Sequence, residues 1–338
     1  MTQPIQRLAP GVIKCAAFVL GQAAVGGRQE AQGPLGPKFA ETFGRAELGE
    51  DCWEMAETHL QQAAMRHALR AANRRAADLH FGGDLLNQCS ATNFTMREMQ
   101  FPVAGLYSAC ATFAESLALA ALAAASGAAE CVSACVSSHF CAAEKQFRFP
   151  LEYGGQPTPA SQRTATAAGA VILGPEGSSG HAKITHAIFG RVVDMGIKDA
   201  NEMGAAMAPA ALDTLKRFLD ATHTMPGDYD MILTGDLGAV GSALLLKLAR
   251  RELGLELSGV HRDCGMLLYH AGEQDVGVGG SGAGCSAAVV CAEILPALQS
   301  GSLRAVLLLG TGALLSAISP LQGETIPAIC HGVRLTRA

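Results

Sequence analysis

Ser108-Ala109-Cys110-Ala111-Thr112 opens a run of apolar helix formers that stops at Gly127, ahead of the apolar stretch 131–137. Gly282-Ala283-Gly284-Cys285 opens a second such run, which stops at Gly301 ahead of the apolar stretch 305–309. Gly284 follows Cys110, and Gly301 follows Gly127, by the same 174 residues, so the two stretches match without a gap. A second pair of motifs precedes each run: Gly82-Gly83-Asp84-Leu85, and 152 residues later Thr234-Gly235-Asp236-Leu237. Shared order with unequal spacing describes a duplication whose intervening loops differ in length.

Working outward, the pattern predicts strands at 12–20, 77–81, 103–106, 131–137 and 165–173, with helices at 53–72, 93–99 and 111–126. Polar, Gly- and Pro-rich residues 139–164 read as a loop insertion. The second half predicts strands at 184–193, 230–234, 274–278, 305–309 and 329–335, with helices at 208–219, 242–253 and 286–298. Alternating strands and helices imply an α/β fold of two similar halves, 1–187 and 188–338, with helices covering the sheets. If the halves face each other, their strand-to-helix turns converge on one cleft.

The chain has 338 residues, 49% hydrophobic and 16% charged, enough for a large core and incompatible with a mainly disordered chain. A net charge of −5 without a basic block gives nucleic acid no electrostatic footprint. The eleven cysteines include no Cys-x-x-Cys pair, so they read as small hydrophobes in a reducing compartment. No signal peptide is evident, since Lys14 interrupts the first apolar stretch. The longest apolar helix expected, around 117–125, falls short of the ~20 residues a membrane span needs.

Cys110 sits at the start of a long helix, where the helix N-terminus favours a thiolate and backbone N–H groups can serve an oxyanion. The alternative is a buried thiol like most of the others. Asp84, with Asn87 three residues on, and its duplicate Asp236 end strands at the ligand edge of an α/β sheet. They can bind a cation, accept from a protonated ligand or act as bases, or else order their own turns. His139, Glu144, Lys145, Arg148 and Tyr153 combine cationic and aromatic groups that suit a flat, anionic, aromatic acid; the alternative is a solvated loop. Gly277-Val278-Gly279-Gly280-Ser281-Gly282 has dinucleotide-fingerprint spacing, but no acid follows at the next strand's end, so it reads as tight backbone packing around the cleft.

The Cys110 segment and the duplicated halves resemble the thiolases and ketoacyl synthases. More specifically, Gly33-Pro34-Leu35-Gly36, Gly83-Asp84-Leu85-Leu86-Asn87-Gln88, Glu152-Tyr153-Gly154-Gly155-Gln156, Met207-Ala208-Pro209-Ala210-Ala211, Thr234-Gly235-Asp236-Leu237, and Glu324-Thr325-Ile326-Pro327 through His331-Gly332-Val333 resemble the stage V sporulation protein AD family. The resemblance implies a thiolase-like fold in a layered αβαβα arrangement that binds dipicolinic acid, or its calcium chelate, for uptake into the developing spore. It also implies that Cys110 holds the superfamily's nucleophile position. Condensing synthases carry a His where this chain has Thr234-Gly235-Asp236, and an Asn where it has Gly280-Ser281-Gly282. Cys330, before His331, is the candidate replacement for a thiolase's second cysteine.

These departures imply a degenerate active site and a binding protein rather than an enzyme, with acyl transfer through Cys110 as the alternative. The expected ligand-binding residues are Asp84, Asn87, Cys110, His139, Lys145, Arg148, Tyr153, Asp236 and Ser281. No cofactor is expected beyond calcium carried with dipicolinate, for which Asp84 and Asp236 are the candidate ligands. The resemblance further implies a homodimer at the cytoplasmic face of the forespore or spore inner membrane, alongside membrane-embedded stage V sporulation proteins.

Overall fold

The computed structural model describes residues 5–147, 156–316 and 318–338. The first half contributes β1 (Val12–Gly26), β2 (Leu79–Gly83), β3 (Val103–Gly105), β4 (Val132–Ser138) and β5 (Ala167–Gly174). The second contributes β6 (Ala182–Ile188), β7 (Met231–Thr234), β8 (His261–Asp263), β9 (Ala305–Ala313) and β10 (Ala328–Arg337). Across the sheet the order is β8-β7-β9-β10-β6-β1-β5-β4-β2-β3, a palindrome in which each strand of one half answers one of the other. β2 runs parallel to β3 and β4, and β7 runs parallel to β8 and β9. The antiparallel series β4, β5, β1 answers β9, β10, β6. β1 belongs to both systems, because Val12–Val19 pairs with β6 and Phe18–Gly26 with β5. The duplication read from the motifs is thus a duplication of topology. β6 takes β1's place in the second half, so the chain passes from one set of strands to the other between Gly174 and Ala182.

Seven helices of the described residues cover these strands: α1 (Trp53–Ala71), α2 (Ser90–Met99), α3 (Thr112–Ala125), α4 (Phe140–Phe147), α5 (Met203–Thr222), α6 (Gly238–Leu248) and α7 (Ala283–Ser300). α3 and α7 lie between the half-sheets, α1 with α2 packs outside the first, and α5 with α6 packs outside the second. That gives the five layers αβαβα. Position explains composition: α3 is almost wholly alanine, leucine and other small residues because both its sides are enclosed. β4, β5 and β9 are buried along their whole length because helices cover both faces.

Among the described residues α7 alone is long and apolar enough to cross a membrane, and 72% of it is buried as a middle-layer helix. It, rather than the segment near 117–125, is the longest apolar helix. Two further expectations change. Residues 139–164 are not all loop, since they contain α4 and the short strand Arg163–Thr164, which pairs with Gly280–Ser281. Residues 274–278 are turns rather than a strand, because Gly277 and Gly279 adopt φ of +60° and +132°.

Candidate functional site

The turn before α3 brings Cys110 to the floor of a cleft between the halves. Ala109 precedes it at φ +50°, an unfavourable conformation for a non-glycine residue. The turn is held by the Ser108 N–H donating to Thr112 Oγ1 at 3.0 Å and Thr112 Oγ1 donating to the Ala109 carbonyl at 2.6 Å. β9 presses on it closely: a Cβ at Gly312 would lie 2.3 Å from the Ser108 carbonyl oxygen, so only glycine fits there.

Cys110 Sγ lies 3.8 Å from Ser281 Oγ, and Ser281 donates to Asp236 Oδ2 at 2.9 Å. The same oxygen accepts the Gly282 N–H at 3.0 Å, while Asp236 Oδ1 accepts from Thr311 Oγ1 at 2.9 Å. Gln162 fixes the backbone by donating to the Asp236 carbonyl at 2.7 Å. Asp236 is fully buried, and burial raises its carboxyl pKa against the lowering effect of Cys110, Gly282, Ser281 and Thr311. Cys110 is pushed well above the usual thiol range, first by burial and then by the Asp236 carboxylate. The expectation of a thiolate favoured by the helix N-terminus is therefore corrected: desolvation and a like charge outweigh the dipole.

The pocket over this cluster is narrow, with a cavity volume of about 60 Å³. Leu85, Tyr107, Met203, Ala313 and Leu315 give it apolar walls; Cys110, Glu144, Thr164 and Ser281 are its polar lining. Tyr107 and Leu315 also border an adjoining outer vestibule that includes Asn87 and Gln146. His331 backs the cleft without reaching Cys110: its Nδ1 accepts the Gly190 N–H at 3.2 Å, and Nε2 donates to Ser108 Oγ at 3.2 Å. Burial lowers its pKa to about 4, so this imidazole is neutral.

Of the expected site residues, the structure brings Cys110, Asp236 and Ser281 together and puts Asn87 in the vestibule. Asp84 is elsewhere: Oδ1 accepts from Leu86 N–H at 2.9 Å, and Oδ2 accepts from Thr92 N–H and Oγ1 at 2.8 and 2.7 Å. It orders its own turn and α2 rather than opening onto the pocket. His139 is buried at the start of α4, with Nε2 donating to the Ala46 carbonyl at 2.7 Å. Lys145 reaches outward to Glu54 at 3.0 Å. Cys330 faces the outer layer among the α5 contacts, because neighbouring strand residues point to opposite faces, so it does not stand in for a second catalytic cysteine. Arg148 and Tyr153 lie outside the described residues.

A resident calcium does not fit. The oxygens of Asp84 and Asp236 are committed to N–H and O–H donors, and among the described residues no group of three or more His, Cys, Asp or Glu is arranged to hold a metal. Thr311 and Gln162 were missed from the sequence; the only signal for Thr311 was its place between Gly310 and Gly312 at the end of β9.

The family model described as stage V sporulation protein AD matches residues 11–336. The chain belongs to the stage V sporulation protein AD family. The family's protein from Bacillus subtilis strain 168 is 41% identical over 323 residues, covering 95% of this chain and 94% of the relative. Among solved structures, an acetyl-CoA acetyltransferase from Syntrophomonas wolfei is similar with a TM-score of 0.63 at 11% identity, covering 96% of this chain and 99% of that one. An OleA variant from Xanthomonas campestris matches with a TM-score of 0.61 at 13% identity, covering 95% and 98%. The 3-oxoacyl-[acyl-carrier-protein] synthase III of Aquifex aeolicus matches at 0.57 and 13%, covering 95% and 100%. At such identities these likenesses establish the thiolase-like fold.

Proposed function

We propose that this member of the sporulation family binds dipicolinic acid in the Cys110 cleft without transforming it, in its neutral calcium chelate form. The observation that carries the proposal is geometric: the buried Cys110 thiol faces Ser281 and the Asp236 carboxyl, while His331 is engaged with Ser108 and Gly190, where a condensing enzyme needs a base beside a thiolate. The pocket is largely apolar, and Glu144 and Asp236 bring carboxyl groups to it or behind it. Among the described residues its lining has no cationic side chain. A bare dianion would meet Asp236 unfavourably, whereas the neutral chelate carries its calcium together with several of that ion's oxygen ligands.

Arg148 and Tyr153 are the cationic and aromatic groups that the sequence assigns to the same ligand. In this proposal the protein works at the cytoplasmic face of the forespore membrane with membrane-embedded stage V partners. It does so as a homodimer through the half that carries Cys110, where β3 is the open edge of the sheet and Val103 is exposed.

Calorimetric titration with dipicolinate, with and without calcium, tests the proposal. Saturable binding that strengthens at least several-fold with calcium is expected, and Arg148→Ala should weaken it. Absence of binding in both conditions would overturn it. The fold's enzymatic relatives supply the competing outcome, a stoichiometric acyl adduct on Cys110 after incubation with acyl-CoA, visible by intact mass and lost in Cys110→Ser.

A further inference from the structure

Behind α4 and the strand Arg163–Thr164 lies a second cavity of about 390 Å³, which includes Arg28, Glu30, Arg45, Glu47, Phe140 and Arg163 in its lining. Thr164 turns into the Cys110 pocket, whereas Arg163, its neighbour on an extended strand, turns into this one. The Arg163 guanidinium lies over the Phe140 ring, 3.9 Å from its centroid. Its Nε is buried without a hydrogen-bond partner, and among the described residues no carboxylate lies within ion-pair distance of it. Glu30, the buried acid of the same wall, feels the Arg163 charge without pairing with it: its Oε1 accepts from Tyr269 OH at 2.5 Å and from Thr166 N–H at 3.1 Å. At the mouth Arg28 is exposed, and Arg45 makes only a loose surface pair with Glu47 at 3.6 Å.

A guanidinium presents five N–H donors in a planar fork and has no acceptor, so a part-buried guanidinium with a buried, unpaired Nε–H favours an anion. Stacking on Phe140 fixes the plane of that fork and leaves its donors aimed along it. We propose that this cavity is a binding site for a small oxyanion of carboxylate or phosphate type, gripped by Arg163 from within and by Arg28 at the mouth. The site is separate from the Cys110 cleft and goes beyond the dipicolinate proposal. It shares with that cleft only the wall made by α4 and residues 163–164, so one proposal can fail without the other.

The test is titration of the full chain with inorganic phosphate and, separately, with malonate, at constant ionic strength. Saturable binding of at least one anion is expected, and the tighter one assigns the source of the oxyanion. Arg163→Gln should weaken that binding by about tenfold or more, the worth of a charge-assisted hydrogen bond. Arg28→Gln, at an exposed position that folding does not depend on, should weaken it several-fold. Lys216→Gln, on the outer face of α5, should leave it unchanged. No saturable binding of either anion, or wild-type affinity in the folded Arg28→Gln variant together with wild-type affinity or loss of fold in Arg163→Gln, would overturn the site.

Discussion

Asp84 and Asp236 occupy equivalent positions, each just past the end of the strand that answers the other in the duplicated sheet, yet they do different work. In the first half Asp84 satisfies the N–H groups of Leu86 and Thr92 and the Thr92 hydroxyl. In the second half that structural task falls to Asp263 at the end of β8. It accepts from Thr234 Oγ1 at 2.6 Å and from the Leu237 and Gly238 N–H groups at 2.8 and 3.1 Å. Asp236 is thereby released from its own turn and faces Ser281, Thr311 and Cys110. A duplicated motif became a site on one side only, because a second acid took over the local backbone donors.

The largest effect should follow from removing the structural member of the pair. Asp84→Ala leaves two buried N–H groups and a hydroxyl without their acceptor, which should cost about 3–5 kcal/mol in denaturant unfolding. A loss under about 1 kcal/mol would break the contrast.

Asp263 should reveal itself through pH. Burial, then Asp236, raise its pKa from 3.8 to about 6 against its hydrogen bonds. The folded state thus holds a proton that the unfolded chain releases, and the group's contribution to stability falls as pH rises from about 4 through about 6. The stability of wild type relative to Asp263→Asn should fall across that window by on the order of 2–3 kcal/mol; a pH-independent difference would contradict the assignment. The smallest effect is expected at Ser281→Ala, which removes one of three donors to Asp236 and should cost about 1 kcal/mol.

The layered fold was legible because the Cys110 and Gly284 runs match without a gap, and because helices enclosed by two sheets must be small and apolar throughout. Cys110, Asp236 and Ser281 were legible for the same reason, being strand-to-helix turns at the duplicated edge. The different fates of Asp84 and Asp236 were not, since they depend on Asp263, a strand away, and on which donors each carboxylate meets. Nor did composition tell which way α4 faces. The glycines and prolines after it drew the segment into a loop, while His139 in fact braces Ala46 and Lys145 pairs with Glu54. Thr311 carries no chemical signature of its own; it matters because β9 ends against the Cys110 turn.

The account rests on a Cys110 that stays protonated because it is buried and because Asp236 sits beside it. Its most direct test is the pH dependence of alkylation at Cys110, resolved from the other cysteines by peptide mass spectrometry, in wild type and in Asp236→Asn. The wild-type thiol should titrate above the usual range near 9, and removing the charge should speed alkylation at fixed pH by roughly tenfold for one pKa unit. A wild-type thiol that titrates below 8, or one indifferent to Asp236→Asn, would contradict it.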